Sequence, residues 1–127
     1  MPASPSPALV WSGRIASALP VIALIGSGGA KIAQVPQVYE MLTTHFGYSP
    51  SVVVPLGIIE ATCALLYAIP QTTFFGAVLL TGYLGGAVAT HVHAGESPVA
   101  PFTLGVLLWV GLALRNERLR DVILNRT

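Results

Sequence analysis

The sequence predicts an all-α integral membrane protein, a bundle of four membrane-spanning helices with a short amphipathic helix between the first and second. Two observations carry this reading. Of the 127 residues, 54% are apolar and only 9% are charged, whereas soluble domains carry roughly a quarter charged residues. The apolar residues also fall into four long runs, Leu9 to Ala30, Val52 to Ile69, Thr72 to Val92 and Val99 to Leu114, and none has the polar face that a helix in water needs. A chain of this length forms one unit, so residues 1–127 are read as a single transmembrane domain.

At about 1.5 Å per residue, the first three runs extend about 27 to 33 Å, which matches a hydrocarbon core of about 30 Å. They are read as helices over about 9–30, 52–69 and 72–92. The fourth run is short, and it is expected to continue to about residue 119, because Arg115, Arg118 and Arg120 can snorkel to headgroups while their stems stay apolar. Pro36, Pro50, Pro70 and Pro98 fall between runs, and Pro55 and Pro101 lie in first turns, where proline is tolerated. Pro20 lies inside the first run, and a kink is expected there. Between the first two spans, Val38, Leu42 and Phe46 recur at helical spacing ahead of Gly47. This predicts an amphipathic helix over about 36–46, placed either as a lid on a cavity or as a connector in the interface.

Four spans put both termini on one side. Arg14, Arg115, Arg118, Arg120 and Arg126 then share that side, against Lys31 in the opposite loops. Both ends are therefore expected in the cytoplasm and the protein in the inner, or plasma, membrane. The stretch before the first run lacks a positive n-region, and the run exceeds a signal peptide's apolar core, so a retained helix is expected.

A net charge of +1 provides no basic field for nucleic acid. The single cysteine, Cys63, excludes an internal disulfide or a CxxC motif and is read as core.

The informative residues are polar ones at membrane depth. Glu60 lies mid-span, where a carboxylate costs at least about 2.5 kcal/mol, so it must face the bundle or find a partner. Tyr83 and Trp109 fall at a similar depth. Ser27 and Lys31, four residues apart, share one helix face, and Tyr83, Ala87, Thr90 and His91 share a stripe on another. These residues predict a polar pocket in the outer half of the bundle, with Glu60, Lys31, His91 and Tyr83 as the chemical group and Ser27, Thr90, Trp109 and Arg14 as further ligand-binding candidates. Lys31 with Glu60 can equally be a structural pair that fixes helix register. His91 and His93 are two residues apart and point in different directions on a helix, so no metal site is predicted. Haem finds no motif, although His91 or His45 could serve as an axial ligand. Gly26, Gly28 and Gly29 with Gly82, Gly85 and Gly86 predict close packing of the first and third spans.

Taken in order, Arg14, Ser27-Gly28-Gly29-Ala30-Lys31, Phe46-Gly47-Tyr48, Leu56-Gly57-Ile58-Ile59-Glu60, Pro70, Gly76-Ala77, Gly82-Tyr83-Leu84-Gly85-Gly86-Ala87, His91 and Leu108-Trp109 before Arg115 resemble the DoxX-like family. The resemblance covers nearly the whole chain. It implies a four-helix bacterial membrane protein of the wider DoxX superfamily, in which the lysine and the mid-membrane glutamate recur. That superfamily includes a subunit linked to thiosulfate and quinone oxidation, components of oxidative-stress complexes, and assembly factors for membrane proteins. Some members carry cysteine pairs, and this chain departs from them with one cysteine.

Two functions are expected from these residues. One is an intramembrane site that binds or converts a small lipophilic molecule, as a quinone-linked oxidoreductase component or an isomerase, with Glu60 as proton donor or acceptor. The other is a non-enzymatic accessory or assembly role, in which the chain docks a membrane partner or a second copy of itself in the bilayer. A proton or ion pathway ranks last, because only Glu60 lies near the midplane.

Overall fold

The computed structural model describes residues 6–125, and Arg126, counted above in the charge balance, lies outside them. All regular structure among the described residues is helical. The helices are α1 (Pro7–Ile32), α2 (Pro36–Glu40), α3 (Val53–Ala68), α4 (Thr73–His93), α5 (Val99–Arg115) and α6 (Glu117–Ile123). The four long ones close a ring, with α1 against α3 and α5, α3 against α4, and α4 against α5.

Local chemistry explains the boundaries. The Ser6 hydroxyl accepts from the Leu9 N–H at 3.2 Å and Pro7 occupies the first turn, so α1 starts with a cap and a residue that needs no helical donor. It runs through Pro20 without interruption to Ile32. The segment expected as an α-helix over 36–46 differs: α2 is one short turn, and Met41–His45 continues it as a π-helical turn. Gly47 then takes φ +77°, a left-handed conformation suited to glycine, and reverses the chain toward α3.

The largest departure is in the fourth span. A continuous helix to residue 119 was expected, but α5 stops at Arg115 and α6 leaves at 115° to it. Asn116 is the cause. Its backbone is extended and its side chain accepts from the Leu119 N–H at 3.0 Å, so it caps a new helix instead of extending the old one. Arg120 then folds back, donating to the carbonyls of Ala113 at 3.1 Å and Leu114 at 2.8 Å, which are left open by the end of α5.

The polarity of the surface is inverted relative to a soluble protein. Ile22, Phe74, Phe102 and Val99 are more than half exposed, while Ser17, Lys31, Glu60 and Thr73 are buried. Among the described residues, three helical stretches are long and apolar enough to cross a membrane, Pro7–Ile32, Pro50–Ala68 and Pro70–His93. The α5–α6 pair joins them only when the two helices are taken together across their bend. The core, Leu24, Cys63, Ala64, Tyr67, Ala77, Leu80, Leu84, Leu108 and Leu112, runs along the ring's interior.

The glycine expectation needs correction. Helix α1 packs not on α4 but on α3, where Gly28 and Gly57 face each other: a Cβ at Gly57 would lie 2.6 Å from the Gly28 carbonyl oxygen and 2.7 Å from Lys31 Cβ. Gly26, Gly29, Gly82, Gly85 and Gly86 have nothing within 4 Å of where a side chain would start. Sequence alone identifies glycines on a helix, and the helix rotation determines which of them meet a neighbour.

Candidate functional site

The Gly28–Gly57 contact brings α1 and α3 close enough for Lys31 to reach Glu60. Lys31 Nζ lies 2.8 Å from Glu60 Oε2 and 3.5 Å from Oε1. One helical turn back, the Ser27 hydroxyl accepts from Lys31 Nζ at 2.7 Å and donates to Glu60 Oε2 at 3.2 Å. From α4, the Tyr83 hydroxyl donates to the same Oε2 at 3.2 Å. Two helices, α1 and α4, thus place three donors on one carboxylate oxygen of the third, α3. Glu60 is only 2% exposed and Lys31 8%, so the pair is desolvated and each member requires the other.

The cluster forms one wall of a cavity of about 440 Å³. Leu24, Leu56, Leu84 and Leu104 give it an apolar lining, and Ser27, Lys31, Glu60, Tyr83, Thr90 and His91 supply the polar groups. A mostly apolar space with a few convergent polar groups has the composition of a small-molecule site. Gly82 and Gly86 line it without filling it.

Six of the eight sequence-predicted residues therefore meet at one cavity: Glu60, Lys31, His91, Tyr83, Ser27 and Thr90. Trp109 and Arg14 are not brought there. Trp109 faces the other side of α4, donating from Nε1 to Thr81 Oγ1 at 2.8 Å and meeting Phe74 edge-on. Arg14 lies near the opposite end of the bundle, its guanidinium 5.1 Å from the Trp11 ring centre. Depth along a helix was readable from sequence, whereas the azimuth that turns Trp109 away from Glu60 was not. Among the described residues, no three His, Cys, Asp or Glu side chains converge to hold a metal ion.

Sequence reasoning left out Tyr48 and gave Phe46 only as part of an amphipathic segment, lid or connector. Both come from the connector after α2, and with Met41 and Leu42 they close one side of the cavity. The Tyr48 hydroxyl pairs with Thr90 Oγ1 at 2.6 Å, and the Phe46 ring packs 5.0 Å from His91. His91 turns Nδ1 to its own helix, 2.7 Å from the Ala87 carbonyl oxygen. At the rim, His45 Nε2 lies 2.7 Å from Glu96 Oε1 in the α4–α5 connection. The Val38, Leu42, Phe46 stripe and the turn glycine Gly47 were the legible signals for a segment folded over the bundle.

No curated protein and no solved structure matches the chain. The profile of the DoxX-like family matches residues 15–113, a span that includes every member of the cavity cluster. That match, together with the apolar helix surfaces, makes the chain a member of the DoxX-like family and a multi-pass membrane protein.

Proposed function

We propose that this chain holds a small lipophilic molecule inside the membrane and acts on it by proton transfer at Glu60. The observation that carries this reading is the 440 Å³ cavity, apolar over most of its wall and polar where Glu60 receives Lys31, Ser27 and Tyr83. In the reading, the chain crosses the bacterial inner membrane four times with both termini in the cytoplasm, and α2 with its π-turn covers the cavity. Oligomerisation through the outer helix faces belongs to the same reading.

Glu60 Oε2 is occupied by three donors, while Oε1 has only the 3.5 Å contact to Lys31. Oε1 therefore retains lone pairs that can take a proton from a bound molecule. Lys31 and Tyr83 are donors that can polarise a carbonyl oxygen as charge builds on it. Removal of a proton next to a carbonyl, followed by its return at another carbon, is an isomerisation; it balances without an oxidant. Quinone-linked chemistry at this site would draw electrons from a partner or from the quinone itself.

The accessory or assembly reading is favoured by a separate observation: Lys31–Glu60 bridges α1 to α3 beside the Gly28–Gly57 contact, as a register-fixing pair would. One experiment separates the two. Wild type and Glu60→Gln are purified in mild detergent and compared by native mass spectrometry and extraction of bound small molecules. A lipophile retained by wild type and lost from a folded Glu60→Gln supports the ligand reading. An empty cavity in both, with the variant changing oligomer size or partner retention, supports the accessory role.

A further inference from the structure

At the opposite end of the bundle from Glu60 lies a second pocket, of about 260 Å³, between α1 and the ends of α3 and α5. Its rim carries two arginines from distant parts of the chain, Arg14 and Arg115. Glycine brings them together: Gly13 has no side chain, and a Cβ there would lie 2.6 Å from Arg115 Cγ, so the last turn of α5 rests directly on α1.

Both guanidiniums are held by aromatic rings. Arg14 Cζ lies 5.1 Å from the Trp11 ring centre and Arg115 Cζ lies 5.7 Å from that of Tyr67. Stacking uses the face of a guanidinium and leaves its in-plane N–H donors available. Among the described residues, neither arginine forms an ion pair with a carboxylate; Arg115 makes only a 3.4 Å contact from Nε to the Gly111 carbonyl oxygen. The hydroxyls of the pocket floor are already engaged, because Tyr67 donates to the Leu108 carbonyl oxygen at 2.6 Å and Ser17 Oγ pairs with Tyr67 at 3.0 Å.

We propose that Arg14 and Arg115 bind the phosphate of an anionic phospholipid headgroup. Paired forks of N–H donors match phosphate oxygens, and basic pockets between membrane helices are suited to anionic headgroups. The shape agrees with an amphiphile. Arg14, Ala18 and Ile22 follow one stripe of α1 at four-residue spacing, and Ala18 and Ile22 line the same pocket, so an acyl chain attached to the bound headgroup continues along apolar surface toward the membrane interior. Both leaflets present phosphate at this depth, so the site does not depend on which side the termini occupy. It is also independent of the Glu60 cavity.

Trp11 is a built-in reporter beside Arg14. In a Trp109→Phe background, the full chain is reconstituted into phosphatidylcholine vesicles containing a small, equal fraction of either acyl-brominated phosphatidylglycerol or acyl-brominated phosphatidylcholine, and Trp11 fluorescence is read. The expected result is stronger quenching by the brominated phosphatidylglycerol. That preference should fall about fivefold for each of Arg14→Gln and Arg115→Gln and hold in Arg118→Gln, which removes a charge outside the pocket. Equal quenching by the two lipids in the unmodified pocket overturns the proposal without recourse to a variant. So does an equal loss in Arg118→Gln, which would reduce the effect to general surface charge. Loss of the preference on adding glycerol phosphate to the aqueous phase would assign the site to a soluble phosphate compound and overturn the lipid headgroup as its occupant.

Discussion

Tyr67 and Tyr83 show how differently the two halves of this bundle are built. Each projects inward and reaches across helices with its hydroxyl. Tyr67 is 1% exposed and ends in a closed network with Ser17 and the Leu108 carbonyl, whereas Tyr83 borders a cavity and donates to Glu60. The neighbouring glycines account for the contrast. Around Tyr67, Gly76 and Gly111 are pressed against Tyr67 backbone and Ser17, so the helices touch and leave only the smaller arginine-rimmed pocket described above. Around Tyr83, Gly82 and Gly86 meet nothing within 4 Å, and the volume their side chains would have taken remains open. The same residue type therefore tightens one half and hollows the other, depending on whether a neighbouring backbone lies opposite it.

The strongest way to break the comparison is at the cavity's charge pair. Lys31→Met leaves a buried carboxylate without its cation and should cost about 3 to 5 kcal/mol, read as a lowered thermal midpoint in detergent. A variant as stable as wild type would mean that the open half does not rely on the pair. Next come the glycines. Gly76→Ala drives a methyl into Tyr67 backbone and should cost about 1 to 3 kcal/mol. Gly86→Ala should be neutral or stabilising by up to about 1 kcal/mol in the same assay, because it meets no neighbour and alanine favours helix. Similar costs at both positions would remove the distinction between a packing glycine and a cavity glycine.

The tyrosines themselves sharpen it. Tyr67→Phe should lose about 0.5 to 1.5 kcal/mol of stability and leave ligand retention unchanged. Tyr83→Phe should lose retention or turnover for a similar or smaller change in stability. The smallest effect is expected at the rim, where His45 and Glu96 are each about half exposed, at 47% and 49%. His45→Ala should change stability by less than about 1 kcal/mol, with little consequence in high salt.

Much of this was legible in the sequence. Run length and the missing polar faces marked the apolar helices, and prolines fell in the breaks between them. The conspicuous misreading, a fourth span running to residue 119, came from weighing apolar stems and snorkelling arginines above one capping residue, Asn116. Among the site residues, helical spacing sufficed to put Ser27 with Lys31 and Thr90 and His91 with Tyr83. Burial cost alone indicated that Glu60 needed a partner.

The amino-acid sequence by itself determined that the chain is helical, suited to a membrane, and obliged to shelter a carboxylate and an ammonium. These are properties of single residues and single helices, set by transfer costs and by 3.6-residue periodicity. Only the tertiary structure decided that Gly28 meets Gly57, that Trp109 turns to Thr81 while Tyr83 turns to Glu60, and that Arg14 and Arg115 border one pocket. Those outcomes depend on how far each helix rotates and which neighbour it faces, and rotation is fixed by close packing among all the helices at once.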